Sequence, residues 1–87
     1  MNRQQIQETV LDVLGQIAPE ADPRSLDPKV SLRDQLDIDS MDFLNFLIAL
    51  DKQLQVDIPE RDYGRLMTLD ACVDYLLARQ TVNRTGG

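Results

Sequence analysis

The 87-residue sequence contains no histidine, no tryptophan and one cysteine, Cys72. Without histidine, the commonest general base and a common zinc ligand are missing, so a Ser-His-Asp arrangement and ordinary zinc sites are excluded. A single cysteine excludes an internal disulfide and a Cys-rich metal site. Aromatic residues make up 5% of the chain, so a core has to be built mostly from Leu, Ile and Val. No apolar run approaches the ~20 residues that cross a bilayer. The start, Met1-Asn2-Arg3-Gln4-Gln5, lacks the apolar stretch of a secretory signal. A cytoplasmic protein with no membrane insertion is the expectation. Gly15 and Gly64 stand alone, so there is no Gly-rich phosphate-binding loop.

Hydrophobic residues reach 43%, enough for a folded globule. The length suits one domain with a modest core. The net charge of −6 is concentrated. Between residues 34 and 62 the acids are Asp34, Asp37, Asp39, Asp42, Asp51, Asp57, Glu60 and Asp62, and the bases are only Lys52 and Arg61. Acids and bases balance elsewhere, so the whole excess lies in the central third. Such a patch repels nucleic acid and attracts basic protein surfaces. On charge alone, a solvated face that aids solubility is the simpler reading. The acids at 34, 37, 39 and 42 do not match an EF-hand loop, so no metal site is expected.

Apolar residues at Ile6, Val10, Val13, Leu14 and Ile17 predict an amphipathic helix over 3–18. Asn2 with Gln5 fits a capping box, and Pro19 ends the helix. Residues 18–39, with Pro19, Pro23 and Pro28, read as a long connection. Val30, Leu32, Leu36 and Ile38 are its expected anchors. A connection of this length in a compact domain is commonly functional. A second helix is predicted over 40–54, started by Asp39 as cap with Asp42 in its first turn. It is apolar over more than half its circumference, which makes it central. Phe46 fits its core stripe, whereas Phe43 falls near the rim, close to Ser40. Met41 and Ile48 fall on its outer side. Ile58 should point inward, Pro59 suits the first turn of a helix, and residues 60–66 form at most a short third helix weakened by Gly64. Thr68 caps a fourth helix to about Arg79, with Leu69, Cys72, Val73, Leu76 and Leu77 on the buried stripe. Cys72 there reads as a small buried hydrophobe. Tyr63 and Tyr75 read as packing residues with their hydroxyls near water. Residues 81–87 read as a flexible polar tail after a domain over 1–80. The fold class is all-α: an antiparallel four-helix bundle of three longer helices and one short, with a long loop between the first two.

The segment Leu36-Asp37-Ile38-Asp39-Ser40-Met41-Asp42-Phe43-Leu44 resembles the acyl carrier protein family, whose core motif is Asp-Ser-Leu, usually followed by an acid, at the start of the second helix. Ala49-Leu50, Ile58-Pro59-Glu60 and Asp74-Tyr75-Leu76 resemble further family positions, and the resemblance covers roughly residues 3 to 79. It implies a non-enzymatic carrier that holds acyl groups as thioesters on a 4′-phosphopantetheine arm attached to Ser40, with Asp39 beside it. The implied partners are a phosphopantetheinyl transferase and acyl-loading and acyl-using enzymes. They would meet the apolar Met41 and Ile48 and pair with Asp42, Asp51, Glu60 and Asp62. A monomer is expected.

Departures from the family pattern are Asp37 where glycine is common, Asn45 where an acid is common, Lys52 after Asp51, and a bulky Phe43. They make the partner face less acidic and more apolar than that of the usual fatty-acid synthesis carrier, and fit a specialised stand-alone carrier in unusual lipid, polyketide or nodulation-type signal synthesis. A carrier of aminoacyl or peptidyl groups is the alternative. Ile38-Asp39 before the serine argues against it, since peptidyl carriers more often have Gly-Gly or Gly-His there. A helical interaction domain without a prosthetic group is the third reading.

Overall fold

The computed structural model describes residues 2–86, with side chains described through Gln80. Helix α1 spans Arg3–Ile17 and begins with the expected capping box. The Asn2 side chain accepts from the Gln5 N–H and the Gln5 side chain accepts from the Asn2 N–H, both at 2.9 Å. The long connection follows, containing a 3₁₀ turn at Pro23–Ser25 and a short helix α2, Leu32–Leu36. Helix α3, the second helix expected from the sequence, spans Ser40–Leu54. A 3₁₀ helix at Glu60–Leu66 leads into α4, Leu69–Gly86. No strand occurs among the described residues.

The core gathers Ile6, Val10 and Leu14 of α1, Phe46, Leu47 and Leu50 of α3, and Cys72, Val73 and Leu76 of α4. Arg3 pairs with Asp70 and Asp74, whereas Leu11 shares a groove with Leu69. The α1 start therefore meets the residues further along α4, and the two helices run antiparallel. Val56, Ile58 and Leu66 carry the chain back across the core between α3 and α4.

The connection over 18–39 is held more tightly than its proline content suggests. Leu32 is fully buried, and its N–H donates to the Met67 carbonyl at 2.8 Å. The Asp70 N–H donates to the Pro28 carbonyl at 3.0 Å. Gln35 braces the connection from within. Its amide nitrogen donates to the carbonyls of Asp27 and Val30, and its amide oxygen accepts from the Asp27 N–H. Leu36 and Ile38 pack against the core as expected. Val30 does not: it is 42% exposed, and the chain there is fixed by hydrogen bonds from the Val30 N–H to the Asp27 carbonyl and from the Gln35 side-chain amide to the Val30 carbonyl.

The 60–66 segment forms the expected short helix, with 3₁₀ geometry. Two further expectations change. Phe43 is 7% exposed and belongs to the core instead of the rim. The backbone of α4 continues to Gly86, past the expected end near Arg79. The tail assigned to residues 81–87 has its side chains outside the described residues.

Candidate functional site

The N-terminus of α3 is built by a short relay. Helix α2 ends at Asp37, whose backbone is left-handed at φ 52°, ψ 44°. Aspartate tolerates this region better than most residues, though glycine adopts it at no steric cost. Ile38 then anchors the chain on the core. Asp39 is extended, with its carboxylate accepting from the Asp42 N–H at 2.8 Å and its carbonyl accepting from the Phe43 N–H at 3.0 Å. The local sequence dictates this geometry, since an aspartate cap satisfies a helix amide that would otherwise lack a partner.

Ser40 is the first residue of α3 and is exposed. Among the described residues no hydrogen bond holds its hydroxyl. The other two serines of the chain are placed differently. Ser25 donates its hydroxyl to the Asp22 carbonyl at 2.9 Å, and Ser31 is half-buried ahead of the five-residue α2. Ser40 alone combines an open hydroxyl with the leading end of a long helix. A phosphodiester there would face the amides of the first turn and the positive end of the α3 dipole. The donor chemistry fits a covalently attached phosphate, though the carboxylates of Asp39 and Asp42 stand beside it and would need solvent screening.

Met41 and Ile48 are 62% and 40% exposed, on the outward side of α3 as expected. The acids sort into two kinds. Glu60 is exposed. Asp51 and Asp62 are half-buried and engaged within the chain. Asp51 accepts from the Ile58 N–H at 3.2 Å, and Asp62 accepts from the Tyr75 hydroxyl at 2.6 Å. Tyr75 is thus tied to a carboxylate rather than left near water, and Arg65 and Arg79 lie over its ring. Burial, then the bond to Asp62, pushes the Tyr75 hydroxyl above its ordinary pKa. Tyr75→Phe keeps the ring and removes the bond. It should cost about 1–2 kcal/mol and lower the melting midpoint by roughly 4–8 °C per kcal/mol. In a double-mutant cycle with Asp62→Asn, the coupling should account for most of that loss.

Cys72 is fully buried, and burial pushes its thiol up to about 12. It stays protonated near neutral pH and supplies no nucleophile. Among the described residues, no cluster of His, Cys, Asp and Glu is placed to hold a metal ion, and no helix is long and apolar enough to cross a membrane.

Residues 4–76 match the family described as the phosphopantetheine attachment site. The chain is 31% identical over 78 residues to an acyl carrier protein of Rubrobacter xylanophilus, covering 90% of each. The chain belongs to the acyl carrier protein family. It is also 28% identical over 76 residues to an acyl carrier protein of Thermosynechococcus vestitus, covering 87% of this chain and 93% of that one. The fold is shared with the acyl carrier protein of Enterococcus faecalis at a TM-score of 0.77 and 20% identity, over 91% of this chain and 99% of the other. Members of this family are carriers, not enzymes, and their prosthetic group is covalent 4′-phosphopantetheine. The group supplies the thiol on which cargo rides, so the buried Cys72 has no part in it.

Proposed function

We propose that Ser40 is the attachment point, and that the loaded arm presents acyl thioesters to partner enzymes in specialised lipid, polyketide or fatty-acid synthesis. The observation that carries this reading is the exposed, unbonded Ser40 hydroxyl at the capped start of α3. In the loading step the serine oxygen forms a bond to the phosphorus that bears the pantetheine arm of coenzyme A. The bond from that phosphorus to the adenosine-bearing phosphate breaks, and the serine proton leaves with the transferase. Asp39 acts as a positioning residue through its cap.

Incubation with coenzyme A and a broadly active phosphopantetheinyl transferase tests the assignment. Intact-protein mass spectrometry should show the gain of one phosphopantetheine, and peptide mapping should place it on Ser40. No gain, or a gain elsewhere, would remove the assignment.

Partners would read the outer side of α3, where Met41 and Ile48 form the apolar contact and Asp42 a charged rim, with Glu60 of the following 3₁₀ helix as a further exposed acid. Asp51 and Asp62, already bonded within the chain, would contribute mainly through the shape of that rim. Met41→Ala and Ile48→Ala should leave stability within about 0.5 kcal/mol. Each should also weaken capture by an acyl-using enzyme by roughly tenfold, an effect typical of a contact residue worth more than about 1 kcal/mol. Steady-state KM for the loaded carrier is the measurement. An unchanged KM for both would move the partner surface off this side of α3.

A further inference from the structure

The face of α3 that enters the core begins one helical turn below Ser40. Its first buried residue is Phe43, 7% exposed, followed by the fully buried Phe46. Their ring centroids are 6.0 Å apart at a 40° tilt. Residues three apart on a helix are surface neighbours, so Phe43 is the first buried residue met along α3 between the Ser40 end and the buried Phe46, Leu47 and Leu50. The open space on the connection side is polar. A groove of about 670 Å³ is lined by Ser31, Arg33, Asp34, Asp37, Ile38 and Met67, and it reaches to within two residues of Ser40.

An apolar chain tethered near Ser40 is driven toward any apolar interior it can enter, because each methylene removed from water is favoured. Entry here requires the Phe43 ring to leave. That ring removes as much apolar area from water as a short alkyl chain would, and its departure strips Phe46 of its aromatic neighbour. The exchange therefore yields little.

We propose that Phe43 is a specificity-determining residue that closes the core to cargo, so that this carrier holds short or polar acyl groups out in solvent instead of sheltering a long alkyl chain between its helices. The proposal rests on Ser40 being the attachment point.

The test loads the full chain from acetyl-, octanoyl- and dodecanoyl-coenzyme A with a broadly active transferase, verifies each product by intact mass, and melts each form. The wild-type midpoints should agree within about 2 °C, whereas Phe43→Ala should gain about 4–8 °C from acetyl to octanoyl as the chain fills the vacated space. Phe43→Leu, a milder truncation, should give a smaller gain and serves if Phe43→Ala does not fold. A wild-type midpoint that climbs with chain length would overturn the proposal. So would nuclear Overhauser contacts between the octanoyl methyl and the methyls of Leu47 or Leu50 in the wild type, or a flat response in both variants. Failure to load at all would remove the Ser40 assignment together with the proposal, whereas loaded wild type with a climbing midpoint would remove the proposal alone.

Discussion

Ser40→Ala should abolish loading with phosphopantetheine while the protein remains folded. The loss is complete because the reaction needs an oxygen nucleophile and alanine has none. The stability change should be within about 0.5 kcal/mol, as is usual for an exposed side chain without a partner. Alanine is also the best helix former, and the cap belongs to Asp39, whose carboxylate bond to the Asp42 N–H does not involve the Ser40 side chain. The remaining serines offer no substitute. The Ser25 hydroxyl is committed to the Asp22 carbonyl, and Ser31 is half-buried. Ser25→Ala and Ser31→Ala should therefore load like the wild type. Intact mass reports the loading, and circular dichroism melts report the fold. A mass gain in Ser40→Ala would place the attachment point elsewhere, and a collapsed melt would show that the hydroxyl has a structural role.

Local chemistry made parts of this site readable in the sequence. The Asn2–Gln5 box and the Asp39 cap join a side chain to backbone three residues away, so sequence spacing alone defines them. Seven-residue spacing puts Met41 and Ile48 on one side of α3, and both are exposed. What escaped the sequence is what depends on tertiary partners. Gln35 ties down backbone five and eight residues before it, a pattern with no periodic signature. The Tyr75–Asp62 bond joins α4 to the preceding 3₁₀ helix, and nothing in either segment marks the other. Val30 is apolar yet exposed, and hydrogen bonds to its backbone from within the connection fix that stretch instead. The depth of Phe43 was ambiguous for a different reason. A helix apolar around more than half its circumference does not disclose which flank meets solvent, and only the core that α3 shares with α1 and α4 decides it.

The same packing makes Phe46→Ala a severely destabilising truncation. Phe46 is fully buried, in a core shared by α1, α3 and α4. Removing a buried phenylalanine ring to alanine costs about 3–5 kcal/mol, the lost transfer energy plus the cavity left behind. A domain of this size has only on the order of 5–10 kcal/mol in total, so the variant should lose about half its stability and melt on the order of 20 °C lower. Thermal and urea unfolding should agree on the loss. A fall in midpoint of under about 5 °C would mean that the site collapses around the gap, and that the aromatic pair is not what fixes α3. Loading is a second and separate readout. Ser40 is positioned by a cap at the end of α3, and that cap acts locally, so protein that remains folded at low temperature should still accept the arm. Loss of loading in the folded variant would instead tie the presentation of Ser40 to the packing of the core one and two turns below it.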